Sequence, residues 1–262
     1  MADRELLRYV ARKTGLGLHY LSKDEKISIL LEQVREIFPE VILKGGTAIN
    51  RVYLAKKNVS RFSEDIDLDF SSDKGLNEKI KIINERVKDL TGFEVYGPRI
   101  LHRTLRFDCY YRNGFDQRDR VQLELYLTRT EALKKEDMLV KSPFIETHPV
   151  IFTVYSLEDL MARKFITLYN RLEGKDIYDL FFCLELNFSR ARLDEALRPM
   201  LAFYKLNEVD FQKELLRRLQ DARKNAYYIG NATNHFIPRD LRPAWGEFID
   251  TLLLNIKHTC AW

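Results

Sequence analysis

Two aspartates, Asp65 and Asp67, lie two positions apart in the alternating polar and apolar segment 65–70. This alternation predicts a strand, on which residues i and i+2 project from the same face. Carboxylates held roughly 6–7 Å apart in this way repel each other unless a cation lies between them. Hard oxygen ligands suit Mg²⁺ or Mn²⁺. The spacing predicts a metal site, with Asp69 as a weaker candidate; a solvent-facing strand edge is the alternative.

A glycine turn precedes this strand. Apolar residues 41–43 predict a short buried strand, and Gly45, Gly46 and Thr47 then lead into a predicted helix. Glycines let the backbone approach a ligand closely, and a helix N-terminus offers free N–H groups to a phosphate. An ordinary strand-to-helix turn would have the same residues. Together with the aspartate pair, however, the turn predicts a phosphate cradle beside a metal site.

Glu124 is the candidate for the third carboxylate that two-metal phosphoryl transfer commonly uses. It lies within the apolar segment 121–127, where an unpaired acid would be costly to bury. If the neighbouring leucines face the core, Glu124 shares its face with Gln122 and Tyr126. That face is either the metal site or simply the solvated side of the strand.

The elements that must position these residues alternate in the first half of the chain. Ser22, with Glu25 three residues later, predicts a helix N-cap. The predicted helices are 3–13, 22–38, 47–54 and 76–91, and the predicted strands are 41–43, 65–70, 92–97, 103–112, 120–128 and 150–154.

The second half of the chain has helical periodicity throughout. The predicted helices are 157–171, 175–187, 190–204, 208–225 and 239–257. Strands followed by helices indicate an α+β protein. We therefore expect an α/β domain over 1–155 and a helical domain over 156–262.

Composition narrows the class of protein further. The 262 residues are 45% hydrophobic, and 43 basic against 39 acidic residues give a net charge of only +4, which alone does not indicate nucleic-acid binding. Three scattered cysteines and five unclustered histidines argue against a disulfide framework and a zinc site. No apolar segment is long enough to span a membrane. These features predict a soluble, cytoplasmic protein without a membrane partner.

Two sequence blocks resemble the AbiEii/AbiGii toxin family of the DNA polymerase beta-like nucleotidyltransferases. The first combines the Leu-Lys-Gly-Gly-Thr-Ala segment 43–48 with the Arg-Phe-Ser-Glu-Asp-Ile-Asp segment 61–67. The second combines 157–164, which ends in Lys164, with the Lys-Asp-Ile-Tyr-Asp segment 175–179. The resemblance extends over about 20–185, in the same order along the chain.

The resemblance implies a polymerase beta-like fold, with a mixed sheet and flanking helices in a catalytic domain over 1–155 and a helical domain over 156–262 that completes the active-site cleft. It also implies an enzyme that transfers an NMP from an NTP to an acceptor. It implies a metal held by Asp65, Asp67 and Glu124, and a nucleotide bound by Gly45, Gly46, Thr47, Arg61, Ser63, Lys164 and Asp176. Lys164 and Asp179 join the three acids as catalytic residues. The acceptor would be RNA, such as a tRNA 3′ end, and the protein would be a toxin with an antitoxin encoded nearby.

Other interpretations remain open for individual residues and for the whole chain. Lys164 could be an ordinary exposed helix lysine, and Asp176 could cap a helix N-terminus. The protein could instead be a non-catalytic nucleic-acid or partner-binding module on the same scaffold, or it could nucleotidylate a protein hydroxyl.

The helical half carries arginines and tyrosines that could contact an RNA acceptor. We expect 190–257 to form one wall of a basic cleft, with Arg217 and Arg218 as its test residues. The alternative is a packing bundle whose arginines pair with neighbouring acids, which are Asp194, Glu195, Glu208, Asp210 and Glu214.

Overall fold

The computed structural model describes residues 4–128 and 134–259. Of these, 4–128 and 135–155 form one compact unit, whereas 134 and 156–259 form a second. In the described residues, no helix combines the length and apolarity needed to cross a membrane. Each unit has its own core and is treated separately below.

Two helices open the first unit, α1 (Arg4–Thr14) and α2 (Leu18–Ile37). Helix α2 begins after Gly17, and Ser22 lies buried inside its second turn, so the predicted N-cap at Ser22 is wrong. Apolar residues such as Ile27 and Val34 are fully buried, and α2 contacts β2, β5 and β7 of the sheet defined below.

A seven-stranded mixed sheet forms the body of the first unit. The strand order is β3-β4-β5-β2-β1-β7-β6; β2–β5 and β1–β7 are the parallel pairs. The strands are β1 (Val41–Lys44), β2 (Asp65–Phe70), β3 (Glu94–Leu101), β4 (Thr104–Arg112), β5 (Arg118–Tyr126), β6 (Lys135–Val140) and β7 (Val150–Tyr155). This sheet, followed by helices, confirms the predicted α+β class.

Strand alternation gives the sheet two different faces. On β5, Val121, Leu123 and Leu125 are fully buried, whereas the residues between them are polar or aromatic. The burial of the apolar set fixes the register, because a slip by one residue would exchange the two faces. The opposite face therefore carries Gln122 and Glu124.

The segment after β1 is helical but irregular. Helix α3 (Gly45–Ala48) continues into a π-helical turn (Ile49–Tyr53) and a 3₁₀ turn (Leu54–Lys57). The helix predicted over 47–54 is present at that place, but it is not a regular α-helix, because π-helical and 3₁₀ turns make up most of it. Likewise, the helix predicted over 76–91 is α4 (Leu76–Arg86) followed by a 3₁₀ turn (Val87–Asp89).

A buried ion pair anchors the π-helical turn to α2. The Arg51 guanidinium donates to Asp24 Oδ1 at 2.5 Å and to Ser28 Oγ at 2.8 Å, and the Ser142 hydroxyl donates to the other Asp24 oxygen. Burial raises the pKa of Asp24 and lowers that of Arg51, in each case against the attraction of the partner. Removing one partner of such a pair typically costs about 3–5 kcal/mol. The pair fixes the chain that follows the glycine turn.

Among the described residues of the second unit there are six α-helices, and two 3₁₀ turns, Asn234–Phe236 and Arg239–Leu241, lie between the last two of them. The α-helices are α5 (Leu157–Asn170), α6 (Gly174–Leu184), α7 (Arg190–Phe203), α8 (Glu208–Lys224), α9 (Ala226–Thr233) and α10 (Trp245–Thr259). Helix α5 contacts α6, α7 and α8, while α10 contacts α8 and α9. The prediction missed α9 and began α10 six residues too early, at 239.

Small residues allow the close approaches within this bundle. A Cβ at Gly174 would lie 2.1 Å from Thr233 Oγ1, and one at Gly230 would lie 2.6 Å from Trp245 Cδ1. Both distances are far below contact, so α6 packs on α9, and α9 on α10, only because these positions lack side chains.

Cys109 and Cys183 are buried free thiols, one in each unit. Burial raises the pKa of Cys109 to about 12, with a smaller contribution from the nearby Asp108 carboxylate. Neither thiol is therefore suited to nucleophilic chemistry. Cys260 lies outside the described residues.

Candidate active site

The predicted aspartate pair lies on one face of β2. Asp65 and Asp67 are both half-buried, whereas the intervening Ile66 and the following Leu68 are fully buried on the opposite face. Burial of the two apolar side chains holds both carboxylates on the same side of the sheet. The strand thus concentrates negative charge where solvent and ligands have access.

Glu124 lies beside this pair. In the parallel pairing of β2 with β5, Glu124 is the register partner of Asp67, so both side chains share a face. An Arg106 Nη2 lies 2.6 Å from Glu124 Oε1, and the Tyr126 hydroxyl donates to Oε2 at 3.1 Å. Burial and the negative charges of Asp67 and Glu124 raise the pKa of Tyr126, so it stays protonated and can donate.

The third aspartate of β2 has a different environment. Asp69 is fully buried, with Oδ1 2.5 Å from Lys44 Nζ, and it accepts a 2.6 Å hydrogen bond from the Tyr155 hydroxyl on Oδ2. Lys44 Nζ also lies 3.2 Å from the centroid of the Tyr126 ring. Asp69 is thus an internal counter-ion for Lys44, in agreement with its lower ranking as a metal ligand.

The carboxylates fit a divalent cation in part. Within 4–128 and 134–259, no three His, Cys, Asp or Glu side chains are already arranged to hold a metal ion. The Glu124 carboxylate is engaged by Arg106, which leaves Asp65 and Asp67 as the accessible acidic pair. Mg²⁺ is usually held by only one or two carboxylates, with water and substrate phosphates completing its shell. The Asp65–Asp67 pair meets that requirement.

Gly45 allows the glycine turn to approach the aspartate pair. Its φ of +70° lies in the left-handed region, and a Cβ at this position would lie 2.2 Å from Asp67 Oδ2. Any side chain at Gly45 would displace that carboxylate. Gly46 accepts a hydrogen bond on its carbonyl from Asn50 Nδ2 at 2.9 Å, which fixes the turn.

Thr47, Ser63 and Arg61 contact the chain around the pair. Thr47 is fully buried; its hydroxyl donates to the Asp65 carbonyl at 2.5 Å and lies 3.0 Å from Ser63 Oγ. Arg61 is also buried, and its guanidinium donates to the Phe62 carbonyl at 2.8 Å. These contacts position the start of β2, whereas direct contact with a nucleotide stays a prediction for all three residues.

Lys164, Asp176 and Asp179 form a buried cluster in the second unit. Lys164 Nζ lies 2.7 Å from Asp176 Oδ1 and 2.9 Å from Asp179 Oδ2. Arg171 Nε donates to the other Asp176 oxygen at 3.1 Å. Both aspartates are fully buried and Lys164 is 7% exposed, so Lys164 is not an ordinary surface lysine.

The cluster depends on helix geometry. Asp176 and Asp179 are three residues apart on α6 and therefore adjacent, and Lys164 reaches both from α5. Asp176 lies in the first turn of α6, yet its carboxylate is used by Lys164 and Arg171. These contacts hold Lys164 between the two aspartates, whereas a catalytic role for the cluster stays a prediction.

Two arginines of α8 pair with acids of their own helix, whereas a basic wall over 190–257 stays a prediction. Arg217 contacts Glu214 and Asp221 at 2.7 Å each, and Arg218 contacts Glu214 at 2.9 Å. Hydrogen bonds from Arg217 and then Arg218 lower the pKa of Glu214 to about 2. The alternative interpretation, in which these arginines pair with neighbouring acids, is confirmed for Glu214.

Strand alternation indicated Tyr126 as a neighbour of Glu124 on β5, but no sequence pattern indicated Arg106. Arg106 is brought to Glu124 by the antiparallel register of β4 and β5, which depends on the length of the connecting hairpin. The alternation on β4 does place Arg106 and Asp108 on one face. This alternation indicates that the two residues share a face, but it does not indicate which residue of β5 lies opposite Arg106.

Two solved structures share the fold of this chain. MenT4, a nucleotidyltransferase toxin from Mycobacterium tuberculosis, superposes with a TM-score of 0.60 at 16% identity over 96% of this chain and 89% of its own. JHP933 from Helicobacter pylori superposes with a TM-score of 0.56 at 14% identity over 93% of both chains. No curated protein sequence matches significantly.

The family profile described as nucleotidyl transferase AbiEii toxin, type IV TA system, matches residues 29–258. The chain therefore belongs to the AbiEii toxin family, and it is a nucleotidyltransferase. The match includes both the aspartate pair on β2 and the Lys164 cluster.

Proposed function

We propose that this nucleotidyltransferase binds an NTP with Mg²⁺ or Mn²⁺ and transfers the NMP to a hydroxyl at the 3′ end of an RNA such as tRNA. The observation that carries the proposal is the half-buried Asp65–Asp67 pair, with Glu124 beside it on the neighbouring strand. Family membership supports the reaction class, and the acceptor is the part that needs testing.

The chemistry assigns a role to each acid. Asp65 and Asp67 hold the divalent ion, which when bound neutralises charge on the triphosphate. The acceptor oxygen forms a bond to the α-phosphorus, and the bond from that phosphorus to the bridging oxygen breaks. Pyrophosphate leaves with the electron pair, and the acceptor proton passes to Glu124. This last role requires Glu124 to exchange its contact with Arg106.

Phosphate binding is assigned to the glycine turn and to Lys164. The Gly45–Gly46 backbone lies against Asp67, so it lies beside any triphosphate whose metal Asp67 binds. Lys164, held between Asp176 and Asp179, supplies a positive charge for the β- and γ-phosphates and for the leaving pyrophosphate. Asp176 and Asp179 act through Lys164 as positioning residues.

A transfer screen tests the proposal. Purified protein is incubated with Mg²⁺, each of the four α-³²P-labelled NTPs, and either unfractionated tRNA or a total protein fraction. We expect one or more NTPs to label tRNA, and Asp67→Asn to abolish labelling. Asp73→Asn, which changes an exposed aspartate just beyond β2, is the matched control and should retain activity.

Two outcomes would contradict the proposal. Labelling of the protein fraction alone would assign the acceptor to a protein hydroxyl. Absence of labelling in every arm would remove NMP transfer to RNA as the activity.

Membership of a type IV toxin family further supports a cytoplasmic toxin with a cognate antitoxin encoded nearby. We expect expression of the chain to arrest bacterial growth, and Asp67→Asn to relieve the arrest. Co-expression of the adjacent gene product should restore growth with the wild-type chain. Arrest that persists with Asp67→Asn would separate toxicity from nucleotide transfer.

A further inference from the structure

The polar face of β3, β4 and β5 carries two arginine pairs in direct cross-strand opposition. Arg99 on β3 is the register partner of Arg106 on β4, and Arg112 on β4 is the partner of Arg118 on β5. Like charges directly opposite each other in a sheet are destabilising. These two pairs concentrate positive charge on this face of the sheet.

Carboxylates on these strands offset this charge only in part. Arg99 and Arg120 share Asp108 at 2.6 and 3.4 Å, and Arg118 contacts Glu94 at 3.1 Å. Arg112 contacts Asp116, in the loop after β4, at 3.1 Å. On this face of the three strands, five arginines outnumber the three acids; the arginines are Arg99, Arg106, Arg112, Arg118 and Arg120, and the acids are Glu94, Asp108 and Glu124. A guanidinium has five N–H donors, so one carboxylate leaves donors for another ligand. The buried Arg106 Nε has no hydrogen-bond partner among the described residues.

Two tyrosines lie between the arginine pairs. Tyr96 and Tyr110 meet edge to face, with ring centroids 5.3 Å apart, and Tyr96 is 55% exposed. The Arg118 guanidinium lies 4.3 Å from the centroid of the Tyr110 ring and 5.9 Å from that of Tyr96. Planar aromatic and guanidinium groups are the surfaces on which unpaired nucleic-acid bases stack.

The same face is continuous with the candidate catalytic acids. The strand registers place Asp67, Glu124, Arg106 and Arg99 in one row across β2, β5, β4 and β3. Because neighbouring strands lie about 4.8 Å apart, Arg106 is about 10 Å and Arg99 about 14 Å from Asp67 along the sheet. Phosphates just upstream of an RNA end held at Asp67 would fall within reach of both arginines.

We infer that this arginine–tyrosine face of β3–β5 is the acceptor surface, and that it binds the unpaired 3′ end of an RNA. Arg99, Arg106 and Arg118 bind phosphates of the terminal nucleotides, while Tyr96 and Tyr110 stack on their bases. The inference rests on the proposed transfer to RNA. It places RNA binding on the sheet, where arginines outnumber the acids of the three strands and flank two tyrosines, and not on α8, where Arg217 and Arg218 share Glu214 and Asp221 of their own helix.

Fluorescence anisotropy with a 5′-fluorescein single-stranded RNA of mixed sequence, over a salt series, tests the inference. Arg99→Glu/Arg118→Glu should weaken binding at least tenfold and reduce the salt slope, by about 0.7 for each phosphate that the protein no longer neutralises. Tyr96→Ala/Tyr110→Ala should weaken binding about tenfold without changing the slope, because stacking releases no counterions. Tyr96→Phe/Tyr110→Phe should restore binding.

Arg217→Glu/Arg218→Glu is the matched control, since it reverses two ion-paired surface arginines elsewhere and should leave affinity and slope unchanged. Circular dichroism melting checks that each variant folds. The sheet-face variants are Arg99→Glu/Arg118→Glu and Tyr96→Ala/Tyr110→Ala. Wild-type affinity and a wild-type salt slope in both of them would overturn the inference. Equal losses for the same RNA annealed to its complement would also overturn it, since a duplex has no unpaired bases to stack.

The transfer screen separates this inference from the proposed function. If wild-type protein labels tRNA and the sheet-face variants label it equally well, the surface is wrong and the function stands. If no NTP is transferred but RNA binding is lost in the sheet-face variants, the function is wrong and the surface stands. If the sheet-face variants no longer label the protein fraction but bind RNA as well as the wild type does, the face binds a protein acceptor and the inference is wrong.

Discussion

The aspartate pair on β2 and the Lys164 cluster solve the same electrostatic problem in opposite ways. Asp65 and Asp67 place two carboxylates side by side where a ligand has access, whereas Asp176 and Asp179 enclose the Lys164 ammonium between them. The first arrangement is improved by an added cation, while the second contains its cation already. We therefore expect a substitution in the β2 pair to lower activity without lowering stability, and a substitution in the Lys164 cluster to lower both.

The largest expected effect is on transfer activity, in a substitution of the β2 aspartate pair. Asp67→Asn should lower the transfer rate at least ~10²-fold, because a bound metal ion is worth several kcal/mol of transition-state stabilisation. The melting temperature should stay the same or rise, since one of two repelling carboxylates is removed. Initial rates and thermal melts with and without Mg²⁺ measure both quantities. A variant with wild-type transfer would end the catalytic role of Asp67.

Lys164→Met tests whether activity and stability are lost together in the Lys164 cluster. It should abolish transfer and also lower the free energy of unfolding by roughly 3–5 kcal/mol, because two buried carboxylates lose their shared cation. Urea denaturation and NTP binding measure the two effects. Lys164→Arg keeps the charge and should recover most of the stability. Loss of activity with unchanged stability would show that the cluster is not held together by Lys164.

Gly45→Ala tests whether the glycine turn positions the aspartate. The added Cβ would collide with Asp67 Oδ2, so we expect roughly a tenfold loss of transfer, since small displacements of catalytic groups are costly. Gly92→Ala is the control, because Gly92 also has a positive φ, +77°, but nothing within 4 Å of its Cβ position. Gly45→Ala should lose at least as much stability as Gly92→Ala, because both place a side chain at a positive φ and only the first adds a collision; only Gly45→Ala should lose activity. Equal activities would mean that the close approach has no role in catalysis.

The smallest expected effect concerns Thr47. Thr47→Val removes the hydrogen bond to the Asp65 carbonyl and should cost about 1 kcal/mol of stability, with a few-fold loss of transfer. Thr47→Ser keeps the hydroxyl and should remain close to wild type. A much larger loss of NTP affinity in Thr47→Val than in Lys164→Met would indicate direct contact of the Thr47 hydroxyl with the nucleotide.

Local patterns predicted most elements of both units, but some elements lacked a pattern. Strand β6 begins Lys-Glu-Asp and lies at the edge of the sheet, so it needs no apolar alternation and was missed. The irregular turn after α3 was predicted as a regular helix, because its π-helical geometry is fixed by the buried Arg51–Asp24 pair across the fold. Contacts distant in sequence leave no local periodicity to read.

The sequence by itself determined the α+β order of elements, the shared face of Asp65 and Asp67, and membership of the nucleotidyltransferase class. These follow from periodicity and from two motif blocks in register, which are properties of short segments. Only the tertiary structure decided that Asp69 is a buried partner of Lys44, that Arg106 neutralises Glu124, and that arginines meet in pairs across β3–β5. Strand order and register make those neighbours, and both depend on the packing of the whole sheet against α2, which no short segment specifies.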